Sequence, residues 1–178
     1  YGAKYLLSFI RTNELFGGAP VVKLYSPGVE PVRLDPGVVH EPHPSLSDEE
    51  RARFVGIEQR EILAHDGSIE LRFRFSRPLE EVTSFSVFVF GYRHDRPVGA
   101  MPKIHVKAGP TGHEILDQDR EMNDSGIVVK HDARDLSVVV PLNALGSPER
   151  TLVNARTYMG AIPLDWLGWR VLELTKDR

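Results

Sequence analysis

The sequence predicts a mainly β fold: a single sandwich with a short N-terminal helix and an extended proline-containing arm. The first observation is alternation with a period of two. In SIELRFRFS, Ile69, Leu71, Phe73 and Phe75 fall on one face and Glu70, Arg72 and Arg74 on the other. In SFSVFVFGY, Phe85, Val87, Val89 and Gly91 oppose Ser86, Phe88, Phe90 and Tyr92, so both faces carry apolar groups. The second observation is a series of short apolar runs bounded by Gly and Pro, with no long helix after each run. That pattern favours sheet packed on sheet over a doubly wound arrangement. A chain of 178 residues buries about two-thirds of its unfolded surface, enough for one core without a metal or a disulfide.

The elements follow in order. Over Ala3 to Phe16, the residues Leu6, Leu7, Phe9, Ile10 and Leu15 form an apolar stripe, with Lys4, Ser8, Arg11, Thr12 and Glu14 on the rest of the surface. This reads as an amphipathic helix stopped by Gly17-Gly18 and Pro20. Its structural role is docking on a sheet; its functional role would be contact with a membrane surface or a partner domain. Val21 to Tyr25 reads as a short strand, and Pro27, Pro31, Pro36, Pro42 and Pro44 then impose an extended arm. In SLSDEERARF, Ser47 and Glu50 have the spacing of a capping box opening a short helix. Residues 1–53 are therefore expected to form a helix and a wrapping or linker region, and residues 54–178 the sandwich domain. Further strands are expected at Ile57 to Ala64, Lys103 to Lys107, Ile127 to Lys130, Leu136 to Val140, Leu152 to Arg156 and Trp169 to Leu174.

Composition excludes several function classes. With 22 basic and 25 acidic side chains and no basic block, a dedicated nucleic-acid interaction is not expected. The absence of Cys removes thiol chemistry and cysteine zinc sites. No apolar run approaches the roughly 20 residues of a transmembrane span, so a soluble chain is expected. Because the sequence opens on Tyr1 rather than Met, it reads as a piece of a larger product. The nucleophile-elbow, phosphate-loop, zinc-helix and dinucleotide signatures are all missing.

Two aromatic neighbourhoods have the chemistry of a ligand site. A sugar offers an apolar ring face and peripheral hydroxyls, which Trp or Tyr can stack against while Asp, Asn and Arg fix the edges. Trp166 and Trp169 with Asp165 and Arg170 form one candidate, and Tyr92 with Arg93, His94, Asp95 and Arg96 the other. The acid-rich stretch around Asp117, Asp119, Glu121 and Asp124 offers oxygen ligands for a structural calcium ion, without the spacing of a helical calcium loop. A solvated turn is the competing reading. His40 and His43 share a helical spacing that Pro42 and Pro44 oppose, and no third zinc ligand stands near them.

The segment SVVVPLNALG, with Val138 to Pro141, Leu142, Leu145 and Gly146, followed by the aromatic strand around Trp166 and Trp169, resembles the terminal strands of the DOMON and family-9 carbohydrate-binding group of bacterial β-sandwiches. The resemblance covers about the last quarter of the chain and implies noncatalytic binding of a sugar or another small ligand. The expected function is thus an accessory ligand-binding module of a larger bacterial protein, one that could be exported, recognising a carbohydrate or a partner domain. The alternatives are a structural or oligomerisation domain without a ligand, and a glycan-processing hydrolase with a composite carboxylate site.

Overall fold

The computed structural model describes residues 19–35 and 42–176. The helix expected over Ala3 to Phe16 and the residue His40 lie outside the described residues. The chain is mainly β and forms two sheets. The larger sheet has seven strands in the order β1 (Val21–Ser26), β12 (Ile162–Lys176), β11 (Arg150–Met159), β5 (Thr83–Tyr92), β6 (Lys103–Ala108), β7 (His113–Asp117) and β8 (Arg120–Glu121). The smaller has five, in the order β2 (Val32–Arg33), β3 (Ile57–His65), β4 (Ser68–Phe75), β10 (Asp135–Pro141) and β9 (Val128–Asp132). β1 runs parallel to β12; the other pairings are antiparallel.

The segment read as an arm contributes strands to both sheets. β1 pairs with β12 over Val21 to Ser26, and β2 pairs with β3 at Val32 and Arg33. Between β2 and β3 lies α1 (Asp48–Ala52), opened by the expected capping box. The Ser47 hydroxyl accepts from the Glu50 N–H at 3.2 Å, and the Glu50 carboxylate accepts from the Ser47 N–H at 2.7 Å.

The alternation in β4 and β5 places the core. Ile69, Leu71, Phe73 and Phe75 of β4 are buried, and Phe85, Val87 and Val89 of β5 meet them from the facing sheet. Phe85 is fully buried, with its ring centroid 4.9 Å from that of Phe73 and 4.8 Å from that of Phe75, both edge to face. The two sheets therefore share one core.

Two strands run longer than the apolar pattern alone indicates. The run expected at Leu152 to Arg156 extends to ten residues in β11, because β5 supplies a backbone partner at every position from Arg150 to Met159. The run expected at Trp169 to Leu174 is the second half of β12, a 15-residue strand that turns back on β11. Buried Asn154 and Thr157 interrupt the apolar pattern, but each is hydrogen-bonded to backbone across the turn-back.

The Pro-Leu-x-x-Leu-Gly segment has a local physical cause. Leu142–Leu145 is one 3-10 turn, Leu145 is fully buried, and Gly146 closes the turn at φ 72°. The turn lies directly over Gly91 of β5, where an added Cβ would collide with the Leu145 carbonyl. Gly91→Ala is therefore expected to destabilise the chain by roughly 1–3 kcal/mol through overpacking. Urea denaturation would read this as a lower midpoint, and an unchanged midpoint would show that the turn moves aside at no cost.

Candidate functional site

A concavity with a volume of about 360 Å³ lies on the outer face of the five-stranded sheet. Its floor follows from the pairing register. Burial of Phe73 and Leu136, which are opposite each other, turns their strand neighbours outward. One row across four strands reads Glu61, Arg72, Ser137 and Lys130, each opposite the next. The adjacent row reads Gln59, Arg74, Asp135 and Asp132. Each row spans about 14 Å at the usual strand spacing, and the rows lie roughly 7 Å apart along the strands.

Donors and acceptors are interleaved across this floor. Arg72 donates to Glu70 at 2.9 Å, and His65 Nε2 lies 2.8 Å from the same carboxylate. The Arg72 bond holds the Glu70 carboxyl below its ordinary value, and Glu70 in turn raises Arg72. Gln59 donates to Glu61 at 2.5 Å, while Arg74 stands 3.9 Å from Asp135. Lys130, Asp132 and Asp135 are exposed. Glu61, Glu70, Asp132 and Asp135 set four carboxylates against Arg72, Arg74 and Lys130, so the groove is rich in polar groups but nearly balanced in charge.

The residues singled out around the tryptophans are distributed differently. Trp166 pairs with Arg156 of β11 on the outer face of the seven-stranded sheet, and both tryptophans are half-buried. Trp169 and Tyr92 pack against one small apolar cluster of Ala19, Phe90, Met101, Leu152 and Val171, so the structure brings those two rings to the same cluster. Asp165 and Arg170 serve the interior. The Asp165 carboxylate accepts from the Ile57 N–H at 2.8 Å and the Trp166 N–H at 2.9 Å, and it lies 3.5 Å from the buried guanidinium of Arg60. The Thr157 hydroxyl donates to the Val55 carbonyl at 2.6 Å and accepts from the Asp165 N–H at 3.1 Å. Arg170 is 7% exposed and donates to the Gly168, Trp169 and Asp35 carbonyls. Burial lowers both guanidiniums, and Arg60 Nε has no hydrogen-bond partner among the described residues.

Arg93 and Asp95 form a bidentate pair at 2.8 and 2.7 Å, which holds the Asp95 carboxyl down at about 2. Arg93 also donates to the Ser147 carbonyl at 2.9 Å, and His94 bonds Glu149, so these side chains staple the turn after β5 to the start of β11. The acid-rich stretch is divided by strand structure. Asp117 ends β7 and accepts from the Lys103 N–H at 2.9 Å, Asp119 occupies the following turn at φ 66°, and Glu121 lies in β8. Glu121 and Asp124 line a separate shallow polar hollow with His113 and Glu114. Among the described residues, no group of three His, Asp or Glu side chains is arranged to hold a metal ion, and no helix is long and apolar enough to cross a membrane.

No protein-family model matches the chain, and no curated protein is significantly similar to it. The residues of the groove were visible in the sequence only as the water-facing half of β4. Their signal was the alternation of opposite charges, Glu70, Arg72 and Arg74, but the partners from β3, β9 and β10 depend on register.

The interior carboxylate and the groove carboxylate give separable expectations. Asp165→Ala leaves Arg60 buried without its nearest carboxylate and should cost about 3–5 kcal/mol by denaturant titration. A loss below about 1 kcal/mol would show that the pair behaves as an exposed one. Glu70 has a folded-state pKa below its ordinary 4.5. It therefore contributes stability that is present above pH 4.5 and lost as pH falls through the folded value. In Glu70→Gln the stability curve should flatten in that acidic window and run parallel to the wild type near neutrality. Parallel curves down to the acid transition would assign no such role to Glu70.

Proposed function

We propose that this chain is a noncatalytic binding module, and that the groove on the outer face of the five-stranded sheet takes a hydroxyl-rich ligand of the carbohydrate class. The observation that carries this reading is the pair of cross-strand rows beginning at Glu61 and Gln59, which set carboxylates, guanidiniums, an amide, a hydroxyl and an ammonium side by side at strand spacing with a nearly balanced charge. Hydroxyls both donate and accept, so a surface of interleaved carboxylates, guanidiniums and amides can pair with a sugar edge without an excess of either sign. A phosphate or polyanion would instead call for a preponderance of cations. The resemblance of Val138 to Gly146 and the late aromatic strand to the DOMON and family-9 carbohydrate-binding group supports the same class of ligand.

The arrangement favours recognition over catalysis. The groove is open and shallow, and Glu70 is held ionised by Arg72 rather than kept protonated as a general acid requires. Binding would draw on charge-assisted hydrogen bonds worth roughly 1.5–3 kcal/mol each before the cost of ordering the side chains. Weak affinity is the expected consequence.

Calorimetry and amide chemical-shift mapping against neutral and weakly acidic oligosaccharides test this reading. The expected result is weak binding that perturbs Arg72, Ser137 and Lys130, and Arg72→Ala should reduce affinity about tenfold, or 1.4 kcal/mol. Trp166→Ala, on the other sheet, should leave affinity unchanged. Silence across the panel in both measurements would remove the carbohydrate reading in favour of a structural domain. Dependence on Trp166 instead of Arg72 would move the site to the opposite face.

A further inference from the structure

A hydroxyl two residues after an asparagine is the signal read by enzymes that attach a glycan to the asparagine amide, provided that the residue between them is not proline. Asn123-Asp124-Ser125 has that spacing. Asn13, Asn143 and Asn154 do not, because Leu15, Leu145 and Arg156 stand at their second positions. Glu121 lies two residues before Asn123, the place at which bacterial transferases of this kind also read an acidic side chain. The acid-rich stretch thus carries a second pattern besides its oxygen ligands.

The motif is short, and the fold decides whether an enzyme can reach it. Glu121, Asn123 and Asp124 are exposed and Ser125 is half-buried, with the last three in the loop that joins β8 to β9. β8 and β9 are the terminal strands of their respective sheets, so this loop runs along the margin of both. The Met122 N–H donates to the Ile115 carbonyl at 2.8 Å, and β9 begins at Val128. Among the described residues, no backbone N–H of Asn123, Asp124 or Ser125 donates to a backbone carbonyl. The segment can therefore be drawn into an enzyme's cleft without opening a ladder.

The side chains are equally available. Asn123 makes no side-chain hydrogen bond among the described residues. The Ser125 hydroxyl accepts from the Ile127 N–H at 3.2 Å and keeps its own proton to donate. Asn154 is the contrasting case, since it is buried and donates to the Leu167 carbonyl at 2.8 Å.

We infer that Asn123 is an acceptor for an N-linked glycan. The donor is an oligosaccharide joined through its anomeric carbon to a polyprenyl diphosphate. Asn123 Nδ2 bonds to that carbon as the carbon–oxygen bond to the diphosphate breaks. The polyprenyl diphosphate leaves with the electron pair, and the transferase removes one amide proton. Ser125 and Glu121 are read by the transferase and take no part in the bond change. Asn123 does not line the groove on the five-stranded sheet, so its modification is independent of ligand binding there.

The folded full-length chain is incubated with a bacterial oligosaccharyltransferase and a polyprenyl-diphosphate-linked oligosaccharide, beside a control protein that the enzyme modifies. The chain should gain the mass of one glycan, which peptide mapping places on Asn123. Asn123→Gln and Ser125→Ala should each abolish the gain, whereas Ser125→Thr should retain it. Glu121→Gln should slow it about tenfold through the loss of a charge-assisted hydrogen bond. Circular dichroism should show all four variants folded like the wild type. An unmodified wild-type chain beside a modified control would overturn the inference, as would a mass gain that survives Asn123→Gln.

Discussion

The rest of the structure depends on the contact of Phe85 with Phe73 and Phe75. These three rings, all buried, meet edge to face between the sheets and hold β5 over β4. Their position also determines the outer surfaces, because side chains alternate along a strand. With Phe73 and Phe75 inward, Arg72 and Arg74 must face out into the polar groove. With Phe85 inward, Ser86 and Phe88 must face out on the opposite side of the molecule. One core contact thus sets the chemistry of two surfaces that never touch.

A second constraint operates where the two sheets meet at one end. Thr157 and Asp165 belong to the seven-stranded sheet, yet their side chains bond the Val55 carbonyl and Ile57 N–H at the start of β3 in the other. Such bonds satisfy backbone groups that the ladder leaves open, and they fix where β3 begins. Asp165 adjoins Trp166 in sequence, but its side chain is directed to backbone groups of both sheets. Its carboxylate is committed to backbone and to Arg60. Arg170 is committed in the same way to three carbonyls.

The two outer faces differ in kind. On the five-stranded sheet the outward residues of β3, β4, β9 and β10 are largely charged and form an open groove. On the seven-stranded sheet they include Phe88, Phe90, Leu152, Trp166 and Trp169, which is the composition of a face that packs rather than one that is solvated.

The sequence by itself determined the strands whose side chains sort by period two and the capping box at Ser47, because each depends on residues within a few positions. β11 and β12 were legible only in part, since Asn154, Thr157 and Asp165 interrupt the apolar pattern and are accommodated by bonds to distant backbone. β7 and β8 gave almost no side-chain signal; the hydrogen bonds of β6 make a strand of an acid-rich stretch. The groove was decided by tertiary structure alone. Glu61, Arg72, Ser137 and Lys130 are scattered along the chain, and only the register of four strands sets them side by side; a slip of one residue would have turned each to the other face.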